Sequence, residues 1–239
     1  YEARYMNPPT FISRDPMFEK YFWMSPYAYC ANNPMKYVDP SGEEIWVMDE
    51  NGNKYRYFQN ENGKWNLYSN VEGEYKGGSK FLDNTLADLD NIRATSQKDA
   101  ELQDRFNHMV ASESKYLISE RNGKISHFGT PLEKGYCGQI YFATGEKTID
   151  ERRSSLVHEL LGHAYSKDKG TFDANFIEKI TVGKYETNRE QLNAIDVENR
   201  YRYASGMKEP RTQDLSNKNG VYYDVSYHLD QKILGQWKK

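Results

Sequence analysis

Two histidines and a glutamate lie close together near the middle of the chain, in the stretch VHELLGHA at residues 157–164. Imidazole nitrogens are common zinc ligands, and a nearby glutamate can take a proton from a water bound to the zinc. In the HExxH motif, two histidines four residues apart reach one metal from the same face of a helix. The stretch therefore predicts that His158 and His163 bind zinc and that Glu159 is the general base.

The spacing of these histidines is one residue longer than a regular α-helix favours. At about 100° per residue, side chains five residues apart diverge by about 140°, against about 40° for a spacing of four. A π-bulge, which adds one residue to a helical turn, brings both rings back to one side. Gly162 is suited to such a distortion, because it has no side chain to crowd the turn. We therefore expect a π-helical turn between His158 and His163.

The flanking sequence supplies elements that would hold this motif. The pattern predicts a helix over residues 151–166, capped by Thr148 or Asp150. A strand over residues 140–143 precedes the helix and is expected to be the sheet edge beside it. The other face of the helix is apolar, which favours burial against a core, and it consists of Leu156, Val157, Leu160 and Leu161.

A third zinc ligand is expected from a second predicted helix, over residues 188–203. Catalytic zinc sites use three protein ligands and leave one position for water. Glu190 is the first candidate, because the small Ala194 one turn later would leave room for the metal. Glu198, two turns further on, and Asp196 are the alternatives. Each of these carboxylates is equally compatible with a solvated position on the helix surface.

Other candidates for chemistry are less specific. A tyrosine, histidine or arginine is expected to stabilise the oxyanion of the reaction. Tyr201, Tyr227 and His228 are candidates, although packing or surface positions suit all three. His108 and His127 lack the spacing of metal ligands and are assigned no role.

The remaining pattern predicts an α+β fold. Short aromatic and β-branched runs separated by Asn-Gly turns indicate a small antiparallel meander. Apolar residues at helical spacing predict two amphipathic helices, which we assign to the core. The predicted meander strands cover residues 45–48, 54–58 and 65–68, the helices residues 81–92 and 102–110, and further strands residues 115–118, 138–143 and 221–227.

Composition narrows the functional classes. The 239 residues are 37% hydrophobic and 14% aromatic, which is enough for a core, and the formal net charge is −3. No long basic run is present, which disfavours a nucleic-acid partner. No stretch approaches the roughly 18 apolar residues that span a bilayer, so no membrane partner is expected. Cys30 and Cys137 are far apart and fit a reducing compartment better than a disulfide framework.

The N-terminal part differs in composition from the rest of the chain and contains six of the eight prolines. Four spaced motifs there resemble the end of an RHS-repeat core, and residues 39–42 (DPSG) match the turn after which that family carries a variable toxin domain. We therefore expect an RHS-core tail over residues 1–44 and a separate domain over 45–239, within a longer polypeptide that begins upstream. The motifs are YEARYMNP at 1–8, SRDP at 13–16, SPYAYCANNP at 25–34 and YVDPSG at 37–42.

The letters HELLGH at residues 158–163 resemble the motif of dipeptidyl peptidase III, whose two histidines are ligands and whose glutamate is catalytic. They are also similar, apart from one inserted residue, to HExxH effector and polymorphic-toxin peptidases. The segment around Glu190 resembles the glutamate helix of gluzincin-like peptidases. These resemblances imply a zincin-like domain with bound Zn2+ that hydrolyses peptide bonds.

Together these patterns predict a secreted or delivered effector that acts in a target cell. The RHS resemblance implies delivery by a contact-dependent system, a cognate immunity protein and the RHS core as partners, and a peptide or protein is the expected substrate. Two alternatives stay open: a non-enzymatic module stabilised by zinc, and a toxin of another chemistry such as a nuclease. A fourth protein ligand would favour the first, and activity that survives zinc chelation would favour the second.

Overall fold

The structure is a computed structural model and describes residues 45–60, 62–123, 125–145, 148–173, 177–215 and 220–238. The predicted RHS-core tail, residues 1–44, lies outside the described residues. The described part is a mixed α+β fold in which a seven-stranded sheet is accompanied by helices. The prediction of an α+β class is therefore confirmed.

The first strands of the sheet form the predicted antiparallel meander. The hairpin between the first two strands turns through Asn51-Gly52, and Gly52 has a φ of 83°, which glycine adopts without strain. The sheet order is β4-β3-β2-β1-β5-β7-β6. The strands are β1 (Ile45–Met48), β2 (Lys54–Gln59), β3 (Trp65–Ser69), β4 (Gly73–Glu74), β5 (Tyr116–Arg121), β6 (His127–Gly129) and β7 (Gly138–Ala143).

The middle of the sheet is parallel. β1 runs parallel to β5, and β5 runs parallel to β7. The buried run of Tyr116, Leu117 and Ile118 on β5 fits a strand covered on both faces. β6 then pairs antiparallel with β7 at the end of the sheet. The expectation that residues 140–143 form the edge strand was wrong, because β6 lies beyond β7 and pairs with its residues Gln139, Ile140 and Tyr141.

The predicted helices are all present, and each extends beyond its predicted C-terminal end, whereas α5 begins one residue later than predicted. Ser79, Asp99 and Asn188 cap three of them by accepting hydrogen bonds from backbone N–H groups of the first turn. The helices are α1 (Lys80–Ser96), α2 (Ala100–Ala111), α3 (Ile149–Val157), α4 (Tyr165–Asp168), α5 (Arg189–Ser205) and α6 (Gln231–Leu234), with a π-helical segment (His158–Ala164) between α3 and α4.

Two small hairpins and two short 3-10 helices complete the described residues. The strand predicted over residues 221–227 is shorter than expected, since the chain turns into a 3-10 helix at Ser226. The hairpins are formed by β8 (Lys179–Val182) with β9 (Tyr185–Asn188) and by β10 (Gln213–Leu215) with β11 (Tyr222–Asp224), and the 3-10 helices are Ser226–His228 and Gly235–Lys238.

Helix α5 separates two apolar clusters. The larger cluster lies between the sheet and helices α1, α2 and α3, and Val197 and Tyr201 of α5 belong to it. The smaller one joins Leu192 and Ile195 of α5 to the segment that ends in α6. Because α5 is held on both sides, its remaining face is presented to the π-helical segment in a defined register.

A buried ion pair connects α1 to α3. The carboxylate of Asp88 is fully buried and accepts hydrogen bonds from Arg152 Nη2 at 2.9 Å and from Arg153 Nε at 3.1 Å. Since α3 continues directly into the π-helical segment, this contact fixes the start of the helix that carries the histidines.

None of the helices in the described part of the chain is both long enough and apolar enough to span a bilayer.

Candidate metal centre

The π-helical turn expected from the histidine spacing is present. Residues His158–Ala164 form seven consecutive π-helical residues, and α-helix precedes and follows them. The helix begins with a capping box in which Thr148 Oγ1 accepts from the N–H of Glu151 and Glu151 Oε2 accepts from the N–H of Thr148. Of the two predicted caps, Thr148 is therefore the one observed. The local sequence thus accounts for both the start of this helix and its distortion.

Gly162 allows α5 to lie unusually close to the π-helical segment. A Cβ atom added to Gly162 would lie 2.7 Å from Cβ and 3.0 Å from Cα of Ala194. Real Cβ atoms do not approach so closely, so a side chain at position 162 would displace α5. Ala194 was expected to leave room for a metal, but it lies against Gly162 instead.

Replacing Gly162 with alanine tests this close approach. Helix propensity alone would favour alanine by about 1 kcal/mol. Overpacking against Ala194 acts in the opposite direction and costs about 1–3 kcal/mol. We therefore expect a net loss of up to about 2 kcal/mol in the free energy of unfolding, measured by urea denaturation. The double variant Gly162→Ala/Ala194→Gly is the matched control, because it removes the clashing Cβ. A single variant more stable than wild type would contradict the argument.

The two imidazole rings meet through their Nε2 atoms. His158 Nε2 and His163 Nε2 are 3.1 Å apart, and the rings are nearly perpendicular, with an interplanar angle of 83°. In a tetrahedral zinc site with Zn–N bonds of about 2.0–2.1 Å, two ligand nitrogens are about 3.3 Å apart. The observed separation is therefore close to that of two ligands of one zinc ion.

The opposite nitrogens of both rings face carboxylates. His163 Nδ1 lies 2.8 Å from Oε1 and 3.0 Å from Oε2 of Glu190, and His158 Nδ1 lies 3.4 Å from Oε2 of Glu198. A carboxylate at hydrogen-bond distance favours the tautomer with the proton on Nδ1, and this applies to His163. Nδ1 of His158 has no hydrogen-bond partner among the described residues. In that tautomer the Nε2 lone pair of His163 is available to a metal ion. These residues therefore fit a zinc ion at the two Nε2 atoms.

The three carboxylates considered as the third ligand lie in different places. Glu190 and Glu198 are on the Nδ1 sides of the rings, so neither touches the Nε2 pair in this geometry. Asp196 faces away and accepts from the N–H of Asp230, and burial raises its pKa to about 6. Among the described residues, no group of three or more His, Cys, Asp or Glu side chains has the arrangement of a complete metal site. The ligand role of Glu190 stays a prediction.

The charges around His163 are predominantly negative. Burial favours the neutral ring, but the hydrogen bond to Glu190 and the charges of Glu159 and Glu190 together raise the pKa of His163. The same negative charges attract a divalent cation.

Glu159 lies near His163, and one of its carboxylate oxygens makes no hydrogen bond among the described residues. The side chain is 5% exposed, and its Oε2 has no hydrogen-bond partner among the described residues. A buried carboxylate oxygen is costly without a partner, so such an orphan marks a place where a water, substrate or ion would bind. Glu159 is therefore the candidate for the predicted general base.

The residues expected to stabilise an oxyanion are engaged elsewhere. Tyr201 is buried in the larger cluster, and its hydroxyl donates to Asn91 Oδ1 at 2.8 Å. Tyr227 is 89% exposed, and its ring contacts that of His228. No hydrogen bond within the described residues connects any of the three to the histidine pair.

Two residues near the site were given no role by the sequence analysis: His127 was considered and set aside, and Arg211 was not considered. His127 lies on edge strand β6, stacks on Tyr141 at 4.6 Å, and is close enough to Glu159 for its pKa, lowered by burial and Arg121, to be partly restored. Arg211 donates to Glu198 Oε2 at 2.8 Å. Neither has a spacing relative to the histidines that would reveal it, because both come from separate elements.

Comparison with family models, with curated proteins and with solved structures finds no significant match to this chain.

Proposed function

We propose that residues 45–239 are a zincin-like, zinc-dependent peptidase domain. The observation that carries the proposal is the pair of Nε2 atoms 3.1 Å apart, with Glu190 hydrogen-bonded to Nδ1 of His163. Beside the pair is the buried Glu159, whose Oε2 has no hydrogen-bond partner among the described residues. His158 and His163 would hold the metal, with Glu190 either as the third ligand or as the partner that orients His163.

The side chains suit hydrolysis of an amide bond. When bound, zinc lowers the pKa of a water towards neutrality and polarises the substrate carbonyl. Glu159 would accept a proton from the attacking water and donate it to the leaving amine. Its burial keeps competing solvent away from the carboxylate, and its free oxygen needs no rearrangement before accepting the proton.

A peptide substrate is supported by the sheet edge next to the motif. Strand β6 pairs only with β7 among the described residues, which leaves its other side unpaired. An extended peptide can add to such an edge through main-chain hydrogen bonds. Together with the net charge of −3, this favours a peptide or protein over a nucleic acid.

The biological role we propose is that of an effector at the end of an RHS-type polymorphic toxin. It rests on the four motifs in residues 1–44, which resemble the end of an RHS core. The domain would then be secreted or delivered into a neighbouring cell and act in its cytoplasm, and a cognate immunity protein would protect the producer. Expression in a bacterial cytoplasm with and without zinc chelation tests the toxic activity.

Metal content tests the site itself. We expect one zinc per chain in wild type and in Glu159→Gln, and none in His163→Ala, after loading and dialysis. The glutamine variant keeps both ligands, whereas the alanine variant removes one Nε2 atom. His108→Ala is the matched control, because this half-buried histidine lies outside the pair and should leave zinc binding intact.

The outcomes of these experiments distinguish the proposed peptidase from the two alternative functions. A folded wild-type protein that takes up no zinc would overturn the proposal. Zinc binding without hydrolysis of any peptide in a mixed peptide library would favour the zinc-stabilised binding module. Toxicity that persists in His163→Ala would indicate another chemistry.

A further inference from the structure

One main-chain carbonyl in the helix of the histidines needs a hydrogen-bond donor from outside that helix. The N–H of Tyr165 bonds the carbonyl of Leu160, five residues back, as in a π-helix. From there the chain continues as the α-helix α4, whose hydrogen bonds span four residues. A helix that changes from five-residue to four-residue bonds passes over one carbonyl, and here that carbonyl belongs to Leu161. Leu161 is fully buried, so water cannot replace the missing donor.

Arg105 of α2 supplies that donor. Its Nη1 donates to the carbonyl oxygen of Leu161 at 3.0 Å. Its Cζ also lies 4.4 Å from the ring centroid of Tyr165, the residue at which the α-helix resumes. Nε and Nη2 both donate to Glu101 Oε1, at 3.2 Å and 2.9 Å, and the Arg105 side chain is only 17% exposed. Three separate contacts therefore hold this guanidinium at the end of the π-helical segment.

The helix of the histidines is fixed at both ends. On the N-terminal side, Arg152 of α3 is bound by the buried Asp88. On the C-terminal side, Asp168 of α4 accepts from Ser112 Oγ at 2.9 Å and from the Tyr116 hydroxyl at 3.1 Å. Because the extra residue of the π-turn must be accommodated between these two ends, the turn can move along the helix but cannot disappear.

The place of the π-turn decides where the two imidazoles point. With the turn between them, His158 Nε2 and His163 Nε2 are 3.1 Å apart. With the turn displaced, the same five-residue spacing would separate the two side chains by about 140° around the helix. We propose that Arg105 is a positioning residue that holds the π-turn between His158 and His163 through the Leu161 carbonyl. The consequence for metal binding rests on the proposed zinc site, whereas the convergence of the two rings does not.

The test measures the convergence of the two rings in the full chain after metal removal. Ring protons beside the two Nε2 atoms are close enough for a nuclear Overhauser effect, and the chain has only five histidines to assign. In Arg105→Met, which keeps a long side chain but has no donor, we expect this effect to be lost. Zinc affinity, measured by competition with a chelator, should fall about 10–100-fold, as when a ligand loses the contacts that orient it. Arg105→Lys retains a donor and should restore both towards the wild-type values.

A chain that lacks Leu161 separates control of the π-turn from general support of the fold. Deleting one residue converts the π-turn into a regular turn, which places His158 and His163 about 40° apart around the helix. No carbonyl is then passed over. In the shortened chain, Arg105→Met should therefore keep the Overhauser effect and change zinc affinity by less than about fivefold, the scale of an exposed ion pair. A merely structural role for Arg105 would cost the same factor in both chains.

Arg200→Met is the matched control. Arg200 of α5 binds the same Glu101 at 3.0 Å and Asp99 at 3.1 Å, and among the described residues it makes no hydrogen bond to the π-helical segment. Its replacement should keep the Overhauser effect and change zinc affinity by less than about fivefold. If Arg105→Met does not fold, Arg105→Gln takes its place, because its shorter amide cannot reach both Leu161 and Glu101.

An unchanged Overhauser effect in folded Arg105→Met, or equal losses of zinc affinity in Arg105→Met and Arg200→Met, would overturn the proposal. Equal effects of Arg105→Met in the full and shortened chains would also overturn it. The Overhauser measurement does not depend on bound metal. Loss of the effect in an Arg105→Met protein whose wild type binds no zinc would therefore support the positioning role of Arg105 while refuting the zinc site.

Discussion

Replacing Glu159 with glutamine is expected to lower kcat for peptide hydrolysis by about 10²–10⁴-fold, the usual contribution of a general base. Glutamine has nearly the same shape but cannot accept the proton of the attacking water. Because Glu159 is not one of the predicted ligands, zinc content and the KM should change little. Initial rates on a peptide substrate at saturating zinc, with zinc content determined on the same sample, provide the measurement.

Glu151→Gln is the control for this experiment. Glu151 lies on the same helix, two turns before Glu159, and takes part in the capping box at the exposed helix start. Glutamine also satisfies a capping box, so kcat and stability should stay near the wild-type values. A Glu159→Gln enzyme with undiminished kcat would assign the proton transfer to another group, and His127 would then be the next residue to replace.

Replacing Asp88 with asparagine is expected to cost about 3–5 kcal/mol of the free energy of unfolding, as when one partner of a buried ion pair is removed. The side chains of Arg152 and Arg153 are only 11% and 22% exposed, so both would keep their charge without sufficient solvent to compensate. Urea denaturation followed by circular dichroism gives the free energy. Since α3 leads into the π-helical segment, the zinc affinity of the folded fraction should fall as well.

Asp90→Asn on the same helix is the matched control for Asp88. Asp90 is 40% exposed, lies 3.9 Å from Arg93 and accepts a hydrogen bond from Tyr57, which asparagine can also accept. Its replacement should cost less than about 1 kcal/mol. If the two variants lose similar amounts of stability, the buried pair does not anchor α3 in the way described.

Much of the site was predictable because it depends on residues close together in the chain. The rotation per residue of a helix is enough to predict a π-turn between His158 and His163, and Thr148 followed by Glu151 three residues later predicts the helix start. The meander could be predicted in the same way, because its Asn-Gly turns require a glycine with positive φ. The edge strand β6 was not predicted, because it is only three residues long and has no alternation of apolar and polar residues.

By itself the sequence indicated the candidates for chemistry, His158, Glu159 and His163, and predicted the π-helical turn that brings the two histidines together. Only the tertiary structure decided which residues face the Nδ1 atoms of the two histidines. Glu190 and Glu198 of α5 face the Nδ1 atoms because Gly162 lets Ala194 of the same helix approach the π-helical segment closely. Arg211 reaches Glu198 from the loop that precedes β10. Such contacts depend on packing between elements that are distant in the chain. No local sequence pattern predicts them.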